Sequence, residues 1–391
     1  MDGMGMGHLL TLLGILFVLM GGTALLCRWL ISYYIEGRGL RRLRQGILVI
    51  DGIAVLGILL SRSLLADFPW AGPCLQFMAI FFMMQLLFCG LTLLALTGRR
   101  LYRRMLAVPQ DEGRRRLLRG ALVLPASAGA AGLYGGLYER RRTVENRYDI
   151  PVAGLPAALA GYTIAQLSDV HLGLFYSLEQ LEKLLEQAAA GRPDVLVITG
   201  DLFDDKDLNP GAARLVDSFR DRFPQGIYFC RGNHEYLRGM GTIEQELEKT
   251  GIRELVNQAE QVLPGQPLYF AGVDYPMDRS RFAELQQAYA ARAFAGVPEG
   301  AVTVLLAHHP DFIDSGRAQG AVLTLTGHTH GGQLGLFGVP LVPPVFSYMR
   351  GLYRQGSCYG YVHSGNGSWF PYRFGCPPEI AYFRLQRQEV Q

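Results

Sequence analysis

Two histidines lie one residue apart in the segment TLTGHTHGGQ, residues 324–333, directly after an apolar run. His328 and His330 would lie on the same side of an extended chain, so both imidazoles can face one cavity. Five more side chains of metal-ligand type follow apolar segments: Asp169, His171, Asp201, Asn233 and His308. Asp, Asn and His are poor strand formers, so their repeated placement at the ends of strand-like segments indicates a metal site rather than ordinary turns.

The donor set indicates how many metal ions to expect and of which kind. Seven ligands exceed the four of a tetrahedral ion, so two divalent ions that share one carboxylate fit the set better. Mixed imidazole and oxygen ligands favour Mn, Fe, Zn or Co over Ca or Mg, which prefer oxygen. Two ions about 3.5–4 Å apart clamp an in-line displacement at phosphorus and lower the pKa of a bridging water. We therefore expect two divalent ions as cofactors and hydrolysis of a phosphate ester by a metal-bridging hydroxide.

The elements that must position these ligands are short apolar segments of strand length. They read YTIAQLSD, VLVITGD, GIYFCRGNH, PLYFAGVD, VTVLLAHH and VLTLTGHTH. Between two of them, residues 178–190 carry apolar residues at helical spacing, which predicts an amphipathic helix. Alternation of strands and helices predicts a layered α/β domain whose site lies where the strands end.

The five ligand segments, in their order along the chain, resemble the calcineurin-like metallophosphoesterase superfamily. They read DVH, GD, GNHE, LAHHP and GHTH, and the resemblance extends over about residues 160–385. The segment YGYVHSGNGSWFPYRFGCPPEI is similar to the membrane-anchored or twin-arginine-exported bacterial branch of that superfamily. The resemblance implies a four-layer αββα sandwich and phosphoester hydrolysis at a two-metal site.

The resemblance also implies a role for each ligand. The first metal would be held by Asp169, His171 and His330, and the second by Asn233, His308 and His328. Asp201 would bridge the two ions. His234 would be the catalytic histidine that protonates or stabilises the leaving oxygen, and Glu235 would orient it. His309 competes with His308 as a ligand, and the family pattern favours His308.

Two features near the C-terminus stay open at this stage. Cys358 and Cys376 could form a disulfide in an oxidising compartment, but their spacing does not decide it. His363 either lines the substrate cleft or is a structural histidine of a Gly-Ser-rich loop.

Four apolar segments precede the α/β region and predict transmembrane helices over residues 9–35, 46–65, 74–97 and 120–138. The last segment is rich in Gly and Ala, and a linker or a surface-lying helix is its alternative. Arginines are concentrated in the first and third connecting loops, which places those loops in the cytoplasm. We therefore predict a membrane region over 1–140, a linker over 141–160 and an extracytoplasmic metallophosphoesterase domain over 161–391.

The segment RRRLLRGALVLPASAGAAG also resembles a twin-arginine export signal, which would add cleavage near residues 128–131. Both interpretations of this segment lead to the same side of the membrane. Asp51, near the start of the second apolar segment, is interpreted as a tolerated acid rather than part of an ion path.

The leading hypothesis is therefore a multi-pass membrane phosphoesterase whose substrate is a phosphoester, with lipid and envelope phosphoesters as candidates. A net charge of +3 gives no reason to expect a nucleic-acid partner. One alternative is a hydrolase of lipid-linked pyrophosphates, similar to the UDP-diacylglucosamine hydrolases, whose site would face the cytoplasm. A second alternative is a non-catalytic scaffold or sensor, which would be expected to have lost ligands that this chain keeps.

Overall fold

The computed structural model describes residues 6–32, 37–61, 71–106, 123–342, 344–368 and 370–388. The chain divides into two compact units. The first comprises Met1–Tyr138 with Phe370–Tyr372, and the second comprises Glu139–Trp369 with Arg373–Gln391. Each unit has a buried apolar cluster of its own.

The first unit is helical in its described part. Its helices are α1 (Met6–Ile31), α2 (Arg38–Ser61), α3 (Ala71–Leu106) and α4 (Val123–Leu133). A single π-helical turn, Tyr134–Tyr138, follows α4. A buried hydrogen bond joins α2 to α3, because the Gln85 amide donates to the Asp51 carboxylate at 2.7 Å. This partner explains how Asp51 is accommodated in the apolar second half of α2.

Among the described residues, one helix is long and apolar enough to cross a membrane, namely Ala71–Tyr102 within α3. It includes the predicted span 74–97. The segment Val18–Ile31 of α1 is apolar but shorter, and the predicted span 120–138 contains the 11-residue helix α4. Residues 33–35, 62–65 and 120–122 of the predicted spans lie outside the described residues. Four spans and their orientation therefore stay predictions.

The second unit contains two six-stranded mixed sheets. The first sheet has the order β1 (Val144–Val152), β14 (Glu379–Arg387), β2 (Thr163–Leu167), β3 (Val195–Thr199), β4 (Ile227–Cys230) and β5 (Arg253–Glu254). The second has the order β12 (Gly351–Gln355), β13 (Cys358–Val362), β9 (Leu323–Thr326), β8 (Val302–Leu306), β7 (Leu268–Gly272) and β6 (Gln258–Gln261). A separate hairpin pairs β10 (Gly335–Leu336) with β11 (Val339–Pro340).

Six α-helices accompany the sheets in the described part of this unit. They are α5 (Leu178–Ala190), α6 (Asn209–Ser218), α7 (Asn233–Arg238), α8 (Met240–Leu247), α9 (Phe282–Phe294) and α10 (Phe312–Ala318). The predicted amphipathic helix is α5, and its N-terminus is fixed by a capping box between Ser177 and Gln180.

The two sheets pack face to face because alternate residues of each strand point in opposite directions. In β3, Val195 and Val197 contribute to the cluster between the sheets, whereas Leu196 and Ile198 pack with the apolar faces of α5 and α6. On the far side of the second sheet, Phe312 of α10 packs in a third apolar cluster. The order of layers is helix, sheet, sheet, helix, which agrees with the predicted α/β class and αββα sandwich.

One predicted boundary needs correction. Residues 141–160 were expected to be a linker, but residues 144–152 form β1, which pairs in parallel with β14 along its whole length. The sequence VENRYDIPV alternates exposed and partly buried positions up to Asp149, and only Ile150 and Val152 at its end are buried. Because it has no apolar run, its strand character is weakly visible in sequence.

Candidate metal centre

The seven predicted ligands lie at the carboxyl ends of strands from both sheets. Neighbours β2, β3 and β4 run parallel, as do β8 and β9, so the loops that follow them collect at one edge. The backbone N–H of Asp169 donates to the carbonyl of Gly200 at 3.0 Å, and that of His171 donates to the carbonyl of Asp201 at 2.9 Å. These bonds fix the loops after β2 and β3 side by side.

Five of the seven predicted ligands have a left-handed backbone. Their φ angles are 52° at Asp169, 49° at His171, 53° at Asp201, 73° at His328 and 51° at His330. An L-residue in this region costs about 1–2 kcal/mol. Strained backbone of this kind clusters at functional sites, where the surrounding structure holds it in place. The same unfavourable conformation recurs in the loops after β2, β3 and β9, which carry candidate ligands of both groups.

The first group of candidate ligand atoms comes from Asp169, His171 and His330. The Nε2 atoms of His171 and His330 are 3.0 Å apart, and Nε2 of His330 is 3.5 Å from Oδ1 of Asp169. Two ligands at about 2.0–2.2 Å from one ion lie about 3–4.4 Å apart, depending on the angle between them. The observed distances match ligands of a common ion.

The second group comes from Asp201, His308 and His328, and a further, overlapping set combines His171 and Asp201 with His234. Oδ2 of Asp201 is 3.1 Å from Nε2 of His308, and Nδ1 of His328 is also 3.1 Å from that nitrogen. The same Asp201 oxygen lies 3.7 Å from Nε2 of His171 in the first group. Asp201 therefore stands between the two groups.

The residues present fit divalent metal. Oδ1 of Asn233 is buried and accepts no hydrogen bond from the described residues, which suits an oxygen whose partner is a cation. The His308 ring donates from Nδ1 to the carbonyl of Thr199 at 2.8 Å, which leaves Nε2 as its ligand atom. Carboxylate, imidazole and amide donors of this mixture suit the transition metals expected from the sequence.

The glycines directly before Asp201 and Asn233 have a steric reason here. Gly200 has a φ of +81°, and a Cβ on it would lie 2.7 Å from both the Gly232 nitrogen and Nδ1 of His308. A Cβ on Gly232 would lie 2.2 Å from Oδ1 of Asp201. The two ligand loops can approach this closely only because neither residue carries a side chain.

Charge within the site sets the protonation of the imidazoles. Burial alone would lower the pKa of His308, but the Asp201 carboxylate raises it to about 10. Burial and the charge of His308 together lower the pKa of His328 to about 3. The buried carboxylates thus attract positive charge into the cavity, and His328 presents a neutral ring, which is the form that binds metal.

His309 lies away from the Asp201 carboxylate. Its ring centre is 4.4 Å from that of Phe282 and 5.1 Å from that of Phe346, whereas His308 contacts Asp201 directly. The structure therefore brings His308 rather than His309 into the second ligand group.

Glu235 has contacts different from those expected. Its buried carboxylate accepts four backbone N–H donors, those of Asp201, Leu202, Phe203 and Gly232, at 2.8–3.1 Å. Burial and the Asp201 charge raise its pKa, although the amide hydrogen bonds favour the ionised form. The expected role of Glu235 in orienting His234 is corrected: Glu235 ties the loop after β3 to the loop after β4.

His234 is oriented by a hydrogen bond that its ring donates to the Asp204 carboxylate. Nδ1 of His234 is 2.8 Å from Oδ1 of Asp204, which also accepts from Nε of Arg238 at 2.6 Å. Burial would lower the pKa of His234, but the Asp201 and Asp204 carboxylates raise it. Because Nδ1 donates to Asp204, Nε2 is the nitrogen left for the reacting groups. Asp204 was missed in the sequence, although it follows Asp201 by three residues in the acidic segment GDLFDD.

A buried arginine behind the first ligand group was also missed. The Arg373 side chain is fully buried and donates to the carbonyls of Ser364 at 2.8 Å and Gly367 at 2.6 Å. Its Nη2 lies 3.4 Å from Nδ1 of His330. Arg373 thereby fixes the C-terminal loop against the His330 ring, and no pattern in the segment YRFG distinguishes it from a surface arginine.

The two features left open in the sequence concern His363 and the pair Cys358 and Cys376. His363 is fully buried, and its Nδ1 accepts the N–H of Gly365 at 2.9 Å, so it is a structural histidine rather than part of an open cleft. Cys358 and Cys376 are free cysteines, and the Cys376 thiol donates to the carbonyl of His330 at 3.3 Å.

Aromatic rings line one side of the second ligand group. The ring centres of Tyr275 and Phe346 lie 5.7 Å and 5.2 Å from that of His328, and Phe282 lies beyond them against His309. These rings were not singled out from the sequence, because Tyr275 and Phe346 lie in loops and Phe282 begins α9, all outside the ligand motifs. They give one side of the centre an apolar wall.

Comparison with known proteins places these features in context. The sequence profile described as calcineurin-like phosphoesterase matches residues 162–332. An uncharacterized metallophosphoesterase, YkuE, from Bacillus subtilis is 30% identical over 288 residues, which cover 70% of this chain and 97% of that protein. The phosphodiesterase YaeI from Escherichia coli is 30% identical, covering 58% of this chain and 83% of the relative. A zebrafish (Danio rerio) protein named transmembrane protein with metallophosphoesterase domain is 31% identical, but the match covers only 56% of its length and 61% of this chain.

Proposed function

The chain belongs to the calcineurin-like phosphoesterase family, and we propose that it hydrolyses phosphate esters at a centre of two divalent metal ions. The observation that carries this proposal is the position of Asp201. Its carboxylate contacts the imidazoles of His171 in the first ligand group and of His308 in the second. One carboxylate shared by two ligand groups is what a bridged pair of ions requires.

Each ligand has a place in this proposal. The first ion would be held by Asp169, His171 and His330, the second by Asn233, His308 and His328, and both by Asp201. When bound, the ions supply a water of lowered pKa near neutral pH and neutralise charge on the phosphate. The chain holds the ligands in place through the hydrogen bonds of Glu235 to the loops after β3 and β4.

His234 would complete the reaction by supplying a proton. As the new bond from water to phosphorus forms, the bond from phosphorus to the leaving oxygen breaks, and that oxygen needs a proton. Protonated His234 can donate it from Nε2, since Nδ1 is engaged by Asp204. The raised pKa of His234 keeps this acid form populated closer to neutral pH.

The experiment that tests the proposal is turnover of p-nitrophenyl phosphate and bis-p-nitrophenyl phosphate by the full chain with Mn²⁺, combined with metal analysis. We expect turnover that requires metal, and loss of both turnover and metal in Asp201→Asn and His328→Ala. Glu182→Gln, an exposed change on α5, is the control and should keep both. Unchanged turnover in Asp201→Asn would rule out the shared-carboxylate centre.

The membrane association and the side on which the centre works are further parts of the proposal. The helix Ala71–Tyr102 and relatives named transmembrane proteins support association with a membrane. The arginine-rich loops of the N-terminal region support an extracytoplasmic centre and several membrane spans. A reporter fused after Ile150 tests the side, and activity of a reporter that works only in the cytoplasm would contradict it.

A further inference from the structure

An exposed apolar hairpin follows the candidate ligands His328 and His330 in the chain. Here the apolar hairpin means the described residues 335–342, 344 and 345, which include β10 and β11. Its large side chains are exposed, from 48% at Leu336 to 96% at Phe337, and the others are Val339, Leu341 and Val345. Isolated exposed apolar residues are normal on a soluble domain, but five within eleven residues are not.

The residue at the tip of the hairpin, Phe337, has a backbone conformation that phenylalanine disfavours. Leu336 pairs with Val339, so Phe337 and Gly338 form a two-residue turn, and both have positive φ, +51° and +82°. Such a turn favours Asn, Asp or Gly at its first position, because a bulky side chain there is strained. The exposure of the Phe337 ring to water and the positive φ of its backbone are therefore both unfavourable. This placement points to a binding role.

Both ends of the hairpin are anchored at candidate ligands. The hairpin begins five residues after His330, and Gly332 lies against Pro340 and Val342 of its returning limb. Directly after it, the Phe346 ring centre lies 5.2 Å from that of His328. A surface bound by the hairpin would thus lie beside the metal centre.

The chemistry of the segment indicates what it binds. Residues 331–349 contain no Asp, Glu, Lys, Arg or His, so the hairpin offers no charged rim of the kind found around protein interfaces. Uncharged Phe, Leu and Val side chains are those that enter the boundary between lipid headgroups and acyl chains. The same chain carries the candidate membrane helix Ala71–Tyr102, which would keep a bilayer available to the domain.

We propose that the apolar hairpin inserts into the lipid surface, so that the centre acts on phosphoesters whose alcohol is anchored in that surface. This inference rests on the proposed phosphoesterase function and names its substrate class. Phe337 would be the deepest side chain, and the aromatic wall of Tyr275, Phe282 and Phe346 would face the apolar part of the substrate.

The test reports the depth of the hairpin in the full chain. The Phe337→Cys variant is labelled with an environment-sensitive nitrobenzoxadiazole group and placed in vesicles of phosphatidylethanolamine and phosphatidylglycerol. Some of these lipids carry a nitroxide quencher near the headgroup. Gln287→Cys on the exposed face of α9 is the matched control, and labelled wild-type protein gives the background of native cysteines. We expect blue-shifted emission and strong nitroxide quenching at position 337 but not at 287.

A second comparison measures the contribution of the side chain itself. The nitroxide quenching of a label on Val345→Cys is measured in protein with the native Phe337 and in protein that also carries Phe337→Asp. Because removing a fully exposed Phe from water favours the inserted state roughly ten- to hundredfold, Phe337→Asp should shift the inserted-to-free ratio by about that factor. Equal quenching at positions 337 and 287 would overturn the inference. Shielding of the 337 label without nitroxide quenching would also overturn it, in favour of a second copy or another protein.

Turnover of p-nitrophenyl phosphate, which needs no lipid surface, separates this inference from the function on which it rests. We expect Phe337→Asp to keep wild-type turnover of that substrate. If wild-type protein with metal shows no turnover, the proposed function fails, while the quenching result still decides whether the hairpin inserts.

Discussion

Replacing Glu235 by Gln tests whether this residue shapes the metal centre or takes part in the chemistry. The carboxylate accepts two backbone N–H donors on each oxygen, Leu202 and Phe203 on one, Asp201 and Gly232 on the other. In Glu235→Gln, one oxygen becomes an NH₂ group, so two buried N–H donors face another donor.

The magnitude follows from those two donors. Each buried N–H left without an acceptor costs about 1–3 kcal/mol, so the free energy of unfolding should fall by about 2–6 kcal/mol. At about 2–4 °C per kcal/mol for a domain of this size, the melting temperature should fall by about 4–24 °C. Metal content should fall as well, because the loops that carry Asp201 and Asn233 are no longer held together.

The assay is thermal unfolding of the full chain in detergent, with metal analysis and p-nitrophenyl phosphate turnover on the same samples. Glu182→Gln makes the same chemical change on an exposed helix face and should leave all three values unchanged. If Glu235→Gln kept the wild-type melting temperature and metal content but lost turnover, the structural role would be refuted in favour of a direct catalytic one.

Three further outcomes are expected. His234→Ala should keep its metal but lose turnover by about 10²–10⁴-fold, as for an acid–base group, and loss of metal would make His234 a ligand instead. Asp204→Asn should lower the pKa of His234, because the Asp204 carboxylate raises that pKa. Turnover needs the protonated His234 ring and falls as pH rises through its pKa. The alkaline limb of the pH–rate profile should therefore move to lower pH. An alkaline limb that stays in place would show that another group controls it. Chelation should lower the melting temperature and Mn²⁺ should restore it, because metal binds the folded state alone; a melting temperature insensitive to chelator would contradict ligand loops held by metal.

The ligand loops could be predicted because their signals are local. Each loop follows a buried strand, and the strand ends place Asp201 and His308 at one edge from opposite sheets. The contacts of Glu235 could not be predicted in this way, because they depend on how the loops after β3 and β4 approach each other. The same limit applies to Arg373, whose burial follows from the path of the C-terminal loop.

The apolar hairpin marks a different limit. Its sequence signal, a long uncharged run after His330, was visible, but an apolar run predicts burial as readily as exposure. Only the structure shows Phe337 in solvent. The N-terminal region shows the converse, since apolar composition predicted four spans and the described helices contain one that satisfies both length and composition.

The left-handed backbone of the ligand loops has a consequence for how this protein can change under selection. Without metal, His171, His328 and His330 each keep a left-handed backbone that costs about 1–2 kcal/mol, a cost that Gly would avoid and Asn would reduce. A library selected only for heat resistance in the presence of chelator should therefore drift toward Gly and Asn at these positions and lose its metal. Selection for turnover would hold His there, so stability and activity favour opposite residues at the same three sites.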